Sequence, residues 1–187
     1  MFVALIVLVV MALTGLAMIR QSGTGMSIAG NLALRQNAVK GADLGTEAAD
    51  AWLLGLINTA GALDTDNPTQ GYFSDWGTSD PTHRLQGDPT QYDWTNSVLV
   101  TNDDGVGNEV RYIVERLCSV ANKPINDTTD GQQCVQTPTG VADKSGTCDH
   151  YANSCIPQNF TPHYRVSSRT KGPRGTLSYI QVMLVPS

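Results

Sequence analysis

Four cysteines, Cys118, Cys134, Cys148 and Cys155, crowd into one polar stretch rich in Gly, Thr and Asn. Thiols placed this way can oxidise in pairs or hold a metal. An even number of cysteines in an exported chain reads as two disulfides. Three pairings are possible, and Cys118–Cys134 with Cys148–Cys155 closes a short local loop each time. Zinc would need His150 beside the thiols, and no Cys-x-x-Cys pair is present. The disulfide reading leads, because loop 118–155 has little apolar content to fold around.

The other reactive side chains are scattered. His83, His150 and His163 stand apart, and no Gly-x-Ser-x-Gly, His-Glu-x-x-His or phosphate-loop pattern occurs. The expectation is no enzyme and no cofactor. Two acidic loops, Asp64–Asn67 and Asn102–Asp104 with Asn108 and Glu109, offer oxygens that suit calcium. Neither has EF-hand spacing, and Asp and Asn also build ordinary turns. Asn126-Asp127-Thr128 and Asn159-Phe160-Thr161 fit the N-glycosylation pattern.

These residues hang on elements that change character along the chain. Met1–Ile19 carries no charge, and as a helix it would rise about 28 Å, close to the bilayer's hydrocarbon thickness. Ser22-Gly23-Thr24-Gly25 follows. Two glycines lower helix stability by about 2 kcal/mol relative to alanine, so a break is expected at Gly23 and Gly25, ending a first segment, 1–25.

Residues 26–60 read as an amphipathic continuation. Ile28, Leu32, Val39, Ala42, Ala49, Leu53 and Leu56 recur at spacings that favour one face packing on a globular domain. Gly41-x-x-x-Gly45, beside Ala38, Ala48 and Ala49, makes a small-residue surface where a second helix could approach closely.

Residues 61–187 read as the globular part. Asp64–Gln91 holds Asn67-Pro68, Trp76-Gly77, Asp80-Pro81 and Asp88-Pro89, which are turn signals. Its Tyr72, Phe73 and Trp76 would anchor either a neighbouring subunit or their own core. Val98, Val100, Val110, Tyr112 and Val114 mark one hairpin, 97–101 with 109–117. A second, 163–170 with 177–185, turns around Lys171–Gly175. The predicted fold is α+β: a long N-terminal helix, apolar in its first half, packed on a small antiparallel sheet.

The 187 residues are 41% hydrophobic and 16% charged, which suits a folded domain, and the net charge of −5 argues against nucleic-acid binding. Charge is uneven. Residues 43–109 hold twelve acidic side chains against Arg84 alone, while 111–174 hold eight basic against five acidic. One subunit's acidic shoulder could therefore meet another's basic face, setting register more than affinity.

The apolar run begins at residue 1 with nothing basic before it and no Ala-x-Ala site after it. A secretory signal or a newly made anchor would carry such flanks. The expectation is a mature chain whose basic leader has been cut away. The run resembles the N-terminus of type IV pilins and their relatives, where a dedicated peptidase cuts before the apolar helix. Met26-Ser27-Ile28-Ala29-Gly30-Asn31-Leu32 through Gln36 resembles a segment of PilX-type pilus assembly proteins. Ala38 to Ala51 resembles their Ala-rich continuation. Tyr164-Arg165-Val166, Gly172-Pro173-x-Gly175-Thr176 and Ile180-Gln181 resemble their closing hairpin. Many pilins have phenylalanine first and glutamate fifth; here the residues are Met1 and Leu5.

The resemblance implies a structural subunit of a type IV pilus-like extracellular filament. It implies processing and methylation at Met1 and a filament-core helix using Phe2, Leu5, Ile6, Val9, Val10, Leu13, Leu16 and Ile19. Subunit contacts are expected at Arg35, Asp43, Glu47, Arg165, Arg169, Lys171 and Arg174. The partners would be copies of the chain or other pilin subunits, the inner-membrane assembly machinery and the prepilin peptidase. The chain would sit in the inner membrane and then in a filament on the bacterial cell surface. The alternatives are a pseudopilin of type II secretion and a non-polymerising single-pass protein with a periplasmic binding domain.

Overall fold

A computed structural model of the chain describes residues 1–77, 87–127, 129–138 and 160–186. One helix, α1, runs from Phe2 to Leu56. It ends in a tightened turn, the Thr59 N–H donating to the Leu56 carbonyl at 2.9 Å, and Gly61 then turns the chain with φ of +75°. The expected break is corrected: the backbone is helical through Gly23 and Gly25. Each glycine costs about 1 kcal/mol locally, while helix propagation from both flanks adds a hydrogen bond per residue. The chain divides into two units, residues 1–37 and 38–187, so the division falls inside α1.

The second unit is a sheet with the end of α1 on one face. Its strands are β1 (Tyr72–Phe73), β2 (Val98–Thr101), β3 (Glu109–Arg116), β6 (Tyr164–Lys171) and β7 (Leu177–Leu184). A separate antiparallel pair, β4 (Gln136–Pro138) and β5 (Phe160–Pro162), lies between β3 and β6 in sequence. The main sheet is mixed rather than wholly antiparallel, because β1 joins β3 in parallel at Val114 and Glu115. β2 takes the other half of the same edge of β3. β3 pairs antiparallel with β6 over eight residues, from Glu109↔Lys171 to Arg116↔Tyr164, and β6 pairs likewise with β7. The two expected hairpins are thus present, and the turn-rich stretch 64–91 contributes β1. Tyr72 and Phe73 are buried in this chain's own core.

The helix approaches the sheet through small residues. Ala38, Gly41, Ala42, Gly45, Ala49 and Leu53 are buried along one face of α1. A Cβ on Gly45 would lie 2.1 Å from Ser168 Oγ, and one on Gly41 would lie 3.0 Å from Thr170 Cγ2. The Gly41-x-x-x-Gly45 surface is therefore occupied from within, by β6 and by Val110 of β3, and does not await a second helix. Val39, expected in the packing stripe, is exposed, as are Ile28 and Leu32. Apolar spacing marks a stripe by hydrophobicity, whereas close approach to a sheet selects for lack of size.

Further along, Ala49, Leu53, Leu63, Tyr72, Tyr112, Val114, Tyr164 and Val166 form the main core. The Trp52 and Tyr72 ring centroids lie 5.6 Å apart. Burial pushes the Tyr164 phenol up to about 12. Arg116, also buried, closes this end by donating to the Leu63 carbonyl at 2.9 Å, the Ser74 carbonyl at 3.0 Å and the Lys123 carbonyl. Cys118 and Cys134 form a disulfide. Cys148 and Cys155 lie outside the described residues, as do His83, His150, Thr128 and Asn159.

Candidate functional site

The first unit presents an apolar surface. Every Phe, Val, Leu, Ile and Met from Met1 to Met18 is exposed, the least so being Val7 at 48%. Phe2, Leu5, Ile6, Val9, Val10, Leu13 and Leu16 are all among them; the Ile19 side chain lies outside the description. Thr14, the one hydroxyl in this run, donates back to the Val10 and Met11 carbonyls, each at 3.0 Å. Its polar group is thereby satisfied within the helix, as an apolar surrounding requires. Among the described residues no helix is long and apolar enough to cross a membrane. The described uncharged stretch, Phe2–Met18, rises about 25 Å.

The charged candidates divide. Arg35, Asp43, Glu47 and Lys171 are exposed. Arg174 lies in the turn Pro173–Gly175. Arg165 and Arg169 are instead engaged within the chain. Arg165 Nε donates to Glu115 Oε2 at 2.8 Å, and Glu115 is fully buried. Burial works against the Arg165 charge, but the hydrogen bond and charge of Glu115 outweigh it, and its pKa is raised. Tyr92 also donates to Glu115 Oε2, at 3.0 Å. Arg169 and Arg111 both reach Glu109 Oε1, at 3.3 and 2.7 Å. The hydrogen bond from Arg111 holds the Glu109 carboxyl below its ordinary range.

An aromatic layer covers this charged face of the sheet. Trp94 sits 6.0 Å from Tyr92 and 5.9 Å from Tyr179, between ring centroids, with the Arg169 guanidinium 5.0 Å from its own. Gln181 Nε2 donates to Ser167 Oγ at 3.0 Å and to the Gly87 carbonyl at 2.7 Å, tying β7 to the covering loop. Sequence reasoning missed Glu115, Tyr92, Trp94 and Arg116 as structural centres. For Glu115 a usable signal existed: Glu109 and Glu115 on one strand face Lys171 and Arg165 on the other once the two strands are set in register.

Both acidic loops direct carboxylates at their own surroundings. Asp103 Oδ1 accepts from the Gly105 and Gly107 N–H groups at 2.9 and 2.8 Å. Asp104 Oδ1 accepts from Val106 and Asn108, both at 3.1 Å. Burial raises the Asp104 pKa, but these bonds and that from the Asn108 amide more than offset it, and the net shift is downward. Asp66 Oδ1 accepts from the Ser74 N–H and hydroxyl, both at 2.6 Å. Among the described residues, no three His, Cys, Asp or Glu side chains converge as metal ligands. Neither a family model, nor a curated protein, nor a solved structure matches the chain.

Proposed function

We propose that this chain is a structural subunit of a type IV pilus-like filament. The observation that carries the reading is the exposed apolar surface from Met1 to Met18, whose one hydroxyl is satisfied internally. Residues so placed exchange water for lipid or for other apolar helices, each large side chain contributing about 1.5–3 kcal/mol on full burial. The uncharged sequence Met1–Ile19 supports residence in a bilayer first and in a bundle of like helices afterwards. The sheet unit, with its own core, would decorate the outside. Melting of the helix near Gly23 and Gly25 belongs to the assembled state: the glycines weaken the segment, and packing in a fibre decides whether it opens.

The test is cryo-electron microscopy of filaments sheared from the source cells. The expected result is a helical map whose every subunit fits this sequence, with Met1 buried among neighbouring helices. Filaments built from another chain leave this one a minor subunit at most; filaments that lack it altogether, or a protein that stays in the membrane under assembly conditions, overturn the reading.

A further inference from the structure

Resting on the filament reading, we infer that the β7 edge of one copy pairs with the β2 edge of the next, so that neighbouring globular units share a continued sheet. β7 is eight residues long, Leu-Ser-Tyr-Ile-Gln-Val-Met-Leu, without a charge or a proline. It runs in unbroken register with β6 and has no second strand partner among the described residues. Natural edge strands are blunted by lysine, proline, bulges or brevity. β7 has none of these devices, and Leu177 and Met183 on it are exposed. At the opposite boundary, β2 pairs only with β3 among the described strands; it is four residues long with a register shift between Leu99 and Thr101, so the contact it offers is short and centres on its exposed Leu99.

Direction permits the union. β2, β3, β6 and β7 alternate in direction across the sheet. A copy displaced sideways without turning therefore offers its β2 antiparallel to β7. Such a head-to-tail contact uses two different surfaces and propagates, as a filament requires.

Charge and side-chain placement select the same arrangement. The β2–β3 turn carries Asp103 and Asp104, and the β6–β7 turn carries Lys171 and Arg174 in sequence. Both turns lie at one end of the sheet, where Glu109 pairs with Lys171. Sideways displacement sets the acidic turn of one copy beside the basic turn of the other. Leu99 is opposite Arg111, Arg111 opposite Arg169, and Arg169 opposite Tyr179. Leu99 and Leu177 thus share one face of the sheet. Continued at the same height, Leu99 of the second copy falls opposite Tyr179 and diagonal to Leu177, within reach of a cross-strand contact.

The test uses the full chain in detergent, an equal mixture of unlabelled and nitrogen-15 protein, treated with a carbodiimide. The expected result is Lys171–Asp103 or Lys171–Asp104 cross-links joining labelled to unlabelled peptides. Leu177→Lys and Leu99→Glu should each reduce these hybrids at least fivefold, with circular dichroism unchanged because both sites are exposed. The double variant should restore them. Cross-links confined to like-labelled peptides, or a double variant that restores nothing, overturn the pairing. Filaments on cells without hybrid cross-links reject the edge contact and leave the filament reading standing. Rescued hybrid cross-links without filaments support the contact and reject that reading.

Discussion

The two stretches of α1 treat glycine in opposite ways. At Gly25 and Gly30 an added Cβ would meet nothing within 4 Å, whereas at Gly41 and Gly45 it would press on β6. The glycines are chemically identical and share one helix. Gly15, Gly25 and Gly30 weaken the helix with no packing within the chain's described residues in return. Gly41 and Gly45 weaken it too, but they let the backbone reach Ser168, Thr170 and Val110. The lesson is that a small-residue spacing signals close approach without naming the partner. In the second stretch the partner is the chain's own sheet; in the first, the proposed partner is another copy.

Removing bulk from the packed stretch should have the largest effect. Leu53→Ala would leave a hole in the main core and lower stability by about 2–5 kcal/mol, read by denaturant unfolding of the full chain followed through tryptophan fluorescence. A loss under 1 kcal/mol would mean that α1 contributes little to the sheet unit.

Adding bulk at the close approach comes next. Gly45→Ala should lower stability by about 1–3 kcal/mol through overpacking, despite alanine's better helix propensity. Ser168→Gly should recover part of that loss, because the Ser168 hydroxyl is the nearest obstacle. A double-mutant cycle measures the coupling. Additive effects would show that Gly45 does not act through Ser168.

The same substitution in the open stretch should have the opposite sign. Gly25→Ala is expected to raise helix stability by about 1 kcal/mol, seen as increased helicity in detergent on heating. Combined with Gly23→Ala it should stiffen the proposed fibre in single-filament stretching. Unchanged helicity and extensibility would sink the melting idea.

The smallest effect concerns pH and belongs to the packed unit alone. Glu109 has a folded pKa below its ordinary value of 4.5, first through its hydrogen bond from Arg111. Its contribution is therefore present above that value and is lost as pH falls through the folded pKa. The acid limb of a stability–pH curve should flatten in Glu109→Gln. An identical limb in both proteins would place the acid sensitivity elsewhere.

Much of this was legible in the residues themselves. The helical period, the uncharged run, the turn signals around 102–108 and 171–175 and the alternation of both hairpins are local properties, so the α+β class and the β2–β3 and β6–β7 strands could be read directly. So could the Cys118–Cys134 bond, which closes a short loop. What escaped depended on residues far apart in sequence. β1 joins β3 in parallel across some forty intervening positions, with no turn signal linking them. Glu115 meets Arg165 only because β3 and β6 lie side by side, which turns an apparently outward basic residue into half of a buried pair.

Sequence by itself therefore determined where the chain is apolar, where it turns and which segments are helix or strand, because short-range sterics and hydrogen bonding act between near neighbours. The tertiary structure alone decided which glycines are packed, which charges are neutralised within the chain and which strands lie at the sheet's edges among the described residues. Each of those depends on the register and distance between elements that meet only when the whole sheet has formed.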